Sequence, residues 1–178
     1  MSSVTCESLP PEFRAVLANP DLIDRELARR SLDDFARRML NLEPARHHEF
    51  VNGKLEAVER GEILRLMLFE PPGHAKSTYA SHLFPGWYLG RNPERSVIAA
   101  SHTAQLATRF GRKVRNLFAA PDWPFGDVAL AGDSRAADQW ETTDSGEYFA
   151  VGVGGGRHRP PRRPGHHRRS DQGPEGRR

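Results

Sequence analysis

Apolar residues recur at three- and four-residue steps along the first third of the chain. Leu22, Ile23, Leu27, Leu32, Phe35, Met39 and Leu40 follow one another this way, with Arg and Asp between them. That period predicts helix over residues 11–40, broken at Asn19-Pro20-Asp21, which can start the longer piece. A second helix is expected after Pro44, carrying Phe50, Leu55 and Val58 and ending near Gly61. The period then changes. Ile63-Leu64-Arg65-Leu66-Met67-Leu68-Phe69 is a short apolar run with the length of a buried strand, and Glu70-Pro71-Pro72-Gly73 can continue neither element. Beyond Lys76, residues 78–89 can form a helix closed by Gly90, with Pro93 after it. Ser96-Val97-Ile98-Ala99-Ala100-Ser101 reads as a second buried strand. Thr103 then leads a helix whose stripe is Leu106, Phe110, Val114 and Leu117, stopped by Pro121-Asp122-Trp123-Pro124. Residues 140–143 and 148–153 look like two short strands. Strand, loop, helix, strand, helix is the order of βαβ units, so the expected class is α/β, a parallel sheet with flanking helices. No internal repeat is visible.

Bulk properties narrow this only a little. A chain of 178 residues suits one ordinary domain, and 37% hydrophobic with 28% charged is a globular composition. No apolar run approaches the roughly 18–20 residues of a membrane span. The start, Met1-Ser2-Ser3-Val4-Thr5, lacks the basic and apolar regions of a signal peptide. Cys6 is the only cysteine, so no internal disulfide can form, and a reducing, cytoplasmic setting is expected. The net charge of +3 is unevenly spread: residues 157–178 hold eight Arg against Asp171 and Glu175, which leaves the remainder near −3. The basic character belongs to the tail.

The segment with the clearest chemistry is Glu70-Pro71-Pro72-Gly73-His74-Ala75-Lys76-Ser77-Thr78, between an expected strand and an expected helix. A phosphate-binding loop needs amides turned inward, a helix N-terminus aimed at the anion, and a Lys that reaches the outer phosphates. A Ser or Thr directly after that Lys supplies a hydroxyl for Mg²⁺. Lys76 and Ser77 suit these two roles. Glu70 stands where the first Gly of G-x-x-x-x-G-K-[ST] belongs, and Ala75 where the second does. A methyl group is tolerated there if φ at Ala75 is negative. The competing reading is a Pro-rich turn ahead of an ordinary helix start. The flanking strand and helix favour nucleotide binding by residues Pro72, Gly73, His74, Ala75, Lys76, Ser77 and Thr78.

At this point the sequence resembles a known family, the large terminase subunits of tailed phages. Pro71–Ser77 matches their deviant Walker A form, Pro-Pro-x-His-Gly-Lys-Ser, with Ala75 in place of Gly. His47-His48 before a helix, Phe84-Pro85-Gly86-Trp87, Leu89-Gly90-Arg91, Ser101 and the stretch from Arg109 to Arg115 resemble the family in the same order. So does Tyr148 to Gly156, and the likeness covers roughly residues 30–156. The resemblance implies an additional-strand P-loop ATPase that packages double-stranded DNA, joined to a metal-dependent nuclease. It implies ATP and Mg²⁺ as cofactors, with Lys76 on the phosphates and Ser77 on Mg²⁺. Its partners would be DNA, the phage portal, the small terminase subunit and further copies in a ring, inside the host cytoplasm. Many members carry an Arg within the loop, where Gly73 stands here. Arg109, Arg112 and Arg115 could contact phosphate or a neighbouring subunit, or form a solvated helix face. His47 and His48 could line an adenine pocket or pack at the surface. No Cys partner accompanies them, which argues against zinc. Trp87 and Trp140 are expected in the core.

The family's next segment would be a strand ending in paired carboxylates, which hold Mg²⁺ and polarise the attacking water. Residues 157–178 are instead Arg, His, Pro, Gly and a few polar residues, a composition that cannot bury a face and predicts disorder. A G+C-rich gene read out of frame gives such a composition. One allowed coding of His158–Gln172, read one base later, yields Ile-Gly-Arg-Arg-Ala-Asp-Leu-Ala-Ile-Ile-Asp-Asp-Pro-Ile, an apolar strand closed by two aspartates. The resulting expectation is three regions. Residues 1–61 are a helical lead-in, 62–156 an incomplete P-loop core that retains Walker A without Walker B, and 157–178 an out-of-frame tail. Such a chain would be catalytically inactive alone. The alternatives are another P-loop translocase, or a non-enzymatic protein that binds DNA phosphates through a basic arm.

Overall fold

A computed structural model describes residues 19–132 and 136–153. The expected helix over 11–18 and the basic segment 157–178, with its frame assignment, lie outside them. Helix α1, Pro20–Arg30, begins where Asn19 accepts a hydrogen bond from the Asp21 amide at 3.2 Å, with Pro20 in the first turn. It ends at Arg30, ten residues before the Leu40 that the spacing predicts. Ser31 closes α1 and caps α2, Leu32–Leu40, by accepting from the Asp34 amide at 3.4 Å. The apolar period passes through this corner because both helices face one core. Helix α3 is Arg46–Glu59, followed by Gly61 at φ 75°.

The run 63–69 is the first expectation that fails. It forms neither strand nor helix, with Leu66 and Leu68 leaning on the core, while Leu64, Met67 and Phe69 are 88%, 77% and 83% exposed. From Arg65 to Phe69 exposure alternates as in a strand, with Leu64 out of phase at a bend, yet the amides of residues 64–70 make no backbone hydrogen bond among the described residues. Hydrophobic period fixes which way side chains point; it does not supply the neighbouring strand.

Helix α4, residues 76–91, is continuous but uneven: a turn at Lys76–Thr78, a π-helical stretch at Tyr79–Leu83 and an α-helical part at Phe84–Arg91. It enters the core with Leu83, Trp87 and Leu89, and the Trp87 indole donates to the Ala28 carbonyl at 3.1 Å. Strand β1 is Ser96–Ser101, helix α5 is Ala104–Phe118, β2 is Gln139–Glu141 and β3 is Glu147–Gly152. β1 and β3 pair in parallel, Ser96 opposite Glu147 through Ser101 opposite Gly152, and β2 pairs antiparallel with β3. The three-stranded sheet is therefore mixed, in the order β1-β3-β2, where a parallel one was expected. The α/β class holds. β1 is not buried on both faces either: Ile98 is 71% exposed.

Helix α5 turns its Ala107, Gly111, Val114 and Phe118 inward, while Leu106 is exposed. Gly111 decides this rotation. A Cβ there would collide with the Ala137 carbonyl oxygen, so only glycine lets the helix lie this close to the segment that leads into β2. Counting large apolar residues misses such a contact. Trp140 and Tyr148, facing partners on β2 and β3, stack at 4.9 Å with their planes 3° apart. The segment after α5 also joins the core, through Trp123, Pro124 and Phe125. No helix among the described residues is long and apolar enough to cross a membrane.

Two buried polar groups yield tests. The Tyr148 hydroxyl has no hydrogen-bond partner among the described residues, and burial pushes its pKa up to about 12. Tyr148→Phe should therefore hold or raise stability, by up to about 2 kcal/mol in urea unfolding, because it removes an unsatisfied donor. A loss of more than about 1 kcal/mol would reveal a partner for that hydroxyl. His82 is buried in the π-helical stretch, its Nε2 3.2 Å from the Lys113 carbonyl. Burial first, and then the Lys113 charge, lower its pKa from the ordinary 6.5. The unfolded imidazole takes a proton more readily than the folded one. His82 thus contributes fully above the unfolded value, and the contribution is lost as pH falls through the lower folded value. Urea midpoints measured across the acid range should fall in wild type and fall less in His82→Gln.

Candidate functional site

Residues 70–78 form a tight passage between the run 63–69 and α4. Gly73 takes φ 86° and Ala75 φ 54°, a left-handed residue directly before the right-handed turn Lys76–Thr78. A left-handed residue followed by right-handed ones curls successive amides toward one point, an anion-binding nest. The Ala75 carbonyl accepts from the Thr78 and Tyr79 amides at 2.8 and 3.1 Å, which starts the helix. Among the described residues, the amides of 73–77 donate no hydrogen bond. Buried amides are nearly always paired, whereas these lie at an exposed helix start and are available to a ligand.

The sequence allowed Ala75 on condition of a negative φ, and the structure overturns that condition. At φ 54° the methyl group crowds the backbone, at a cost of about 1–2 kcal/mol that glycine avoids. The nest forms with the alanine carrying this strain.

Two neighbouring elements hold the passage. Ala45 cannot cap α3 itself, and His48 takes part of that task by accepting from the Ala45 amide through Nδ1 at 3.2 Å. The Nε2 of the same ring lies 3.2 Å from the His74 carbonyl. An imidazole that accepts at Nδ1 and meets a carbonyl at Nε2 must carry its proton on Nε2, so His48 donates to the loop. Its ring also packs on Tyr79 at 4.6 Å, and His47 lies 3.9 Å from His48 and 5.7 Å from His74. The paired histidines therefore clasp the loop and the first turn of α4. Their position at the start of α3 was the only sequence signal for this.

Lys76 is half-buried, and its ammonium meets no carboxylate and no hydrogen-bond acceptor among the described residues. Ser77 is exposed beside it and Thr78 half-buried. Pro72, Gly73 and His74 form the exposed rim. Glu70, by contrast, folds Oε2 inward without a hydrogen-bond partner among the described residues. Arg109 and Arg112 stand exposed on α5, whereas Arg115 donates to the Ala136 carbonyl at 3.2 Å. The three arginines are thus not equivalent, and Arg115 has a structural role on its own helix face. No group of three or more His, Cys, Asp or Glu that could hold a metal ion occurs among the described residues. The chain matches no protein-family model, no curated protein and no solved structure.

Ala75→Gly should relieve the strain at this turn and raise stability by about 1 kcal/mol in chemical unfolding. Ala75→Val, which is worse in the left-handed region, should lower it. If Gly destabilises, the residue does not hold a positive φ.

Proposed function

We propose that residues 72–78 bind the phosphates of ATP, and that the chain is a forward portion of the ATPase domain of a tailed-phage terminase large subunit. The observation that carries the first part is the row of unpaired amides at 73–77. They open onto the N-terminus of a sixteen-residue helical stretch, 76–91, next to a lysine with no partner among the described residues. Phosphate oxygens would satisfy the amides, the helix dipole would favour their charge, and Lys76 would add a mobile point charge at the outer phosphates. Ser77 fits the position of a hydroxyl ligand to Mg²⁺, an ion that would neutralise charge between the β- and γ-phosphates. His48 would fix the His74 carbonyl outward from the nest, so that the amide side faces the ligand. Support for the terminase assignment is the order of motifs from His47 through Gly156, with Pro71–Ser77 at its centre. An incomplete P-loop sheet is part of the same proposal, residues 65–69 having strand-like alternation of exposure ahead of the loop.

Fluorescent-ATP titration of the full chain tests this reading. Binding is expected in the presence of Mg²⁺, with Lys76→Ala weaker by at least about tenfold, or about 1.4 kcal/mol. Equal affinity in wild type and Lys76→Ala, with both folded, would remove the proposal.

A further inference from the structure

The described residues hold a strand-like segment without a sheet and a sheet edge without a strand. Residues 65–69 present alternate side chains to solvent, and the amides of 64–69 are unpaired among the described residues. Strand β1 is bonded to β3 along one side only, and its other side is open. A groove of about 490 Å³ runs along residues 96–100, with Ala80, Ser81, Phe84 and Tyr88 of α4 among its lining. Of the large apolar side chains exposed in the described residues, Leu64, Met67, Phe69 and Ile98 belong to these two features.

Natural edge strands are normally blunted by Lys, Pro, bulges or covering elements. β1, Ser-Val-Ile-Ala-Ala-Ser, has no charge and no proline, and 64–69 has Arg65 alone. We propose that this face is a self-association surface, on which residues 64–69 of one copy add as a strand to the open edge of β1 in a second copy. Main-chain hydrogen bonds would supply the affinity. Burial of Met67, Phe69 and Ile98 would add roughly 25 cal/mol for each Å² removed from water. The near absence of charge on both halves favours a like copy over a partner recognised by charge. This inference does not depend on nucleotide binding.

Sedimentation of the full chain from about 1 to about 100 µM should show a concentration-dependent rise in mass. Met67→Lys with Phe69→Lys, and separately Ile98→Lys, should each weaken association at least about tenfold. All three positions are exposed, and circular dichroism would check that the fold persists. Leu106→Lys, an exposed change on α5, should leave association as it is. In a Cys6→Ser background, a Phe69→Cys copy mixed with an Ile98→Cys copy should be joined by a short bismaleimide. A wild type that stays monomeric throughout overturns the proposal, as does association unaffected by the lysines. Cross-linking of Phe69→Cys/Ile98→Cys within one chain would show that the segment covers its own β1, and would overturn it as well.

Discussion

The seating of α4 is the contact on which the remaining architecture depends. A helix with apolar residues all round cannot lie on a surface; it must be enclosed. Tyr79, His82, Leu83, Trp87 and Leu89 are buried on different sides of it, against the lead-in helices, α5 and the sheet. Its far end is tied by polar contacts. Trp87 donates to Ala28, and Arg91 reaches Glu59 at 2.9 Å and the Arg29 carbonyl at 3.0 Å. Because the shaft of α4 is held so firmly, its first turn has a fixed direction, and the nest ahead of it inherits that direction. The proposed anion site would need this rigidity, since main-chain groups cannot be re-aimed by a rotamer change.

Opposing effects meet within a few residues. The core pulls α4 inward, the left-handed Ala75 strains the entry, and the clasp from His48 holds the entry closed. Local strain of this kind persists only where the surroundings over-determine it. Tyr79 links the opposing parts: it is buried beneath α4's first turns and also carries the ring of His48. A ligand that engaged the free amides would act on a backbone already bent to receive it, with little left to reorganise.

Much of this was legible in the sequence, and the failures share a cause. The start of α1 and helices α3 to α5 follow from apolar spacing and from caps such as Asn19 and Thr103, whereas the corner at Ser31 that divides α1 from α2 leaves the apolar period unbroken and could not be read. Lys76, Ser77 and the surrounding turn could be marked from residue type and order, and they do lie together. Trp87 and Trp140 are in the core, as their size suggests. Pairing was the part that could not be read. Residues 65–69 carry a strand's alternation, but a strand exists only with a neighbour. The antiparallel approach of β2 depends on the turn at 142–146, where the Thr142 hydroxyl donates to the Pro93 carbonyl at 2.6 Å. The backbone sign at Ala75 was misjudged for a similar reason. Alanine's own preference is outweighed by the demand of the turn, and residue identity does not reveal that demand. The rotation of α5, set by Gly111, belongs to the same group: the determinant is a missing atom.

The π-helical stretch at Tyr79–Leu83 bears on how the two ends of α4 relate. One additional residue in a turn rotates everything beyond it by about 100° relative to an unbroken α-helix. The face carrying Lys76 and Ser77 and the face carrying Trp87 are therefore out of phase by one position. Drawing the wide turn tight would swing the lysine around the axis while the tryptophan stayed anchored. The bulge thus works as a fixed offset between the anchor and the turn at 72–78, and any push that narrowed it would be felt at that turn as a twist.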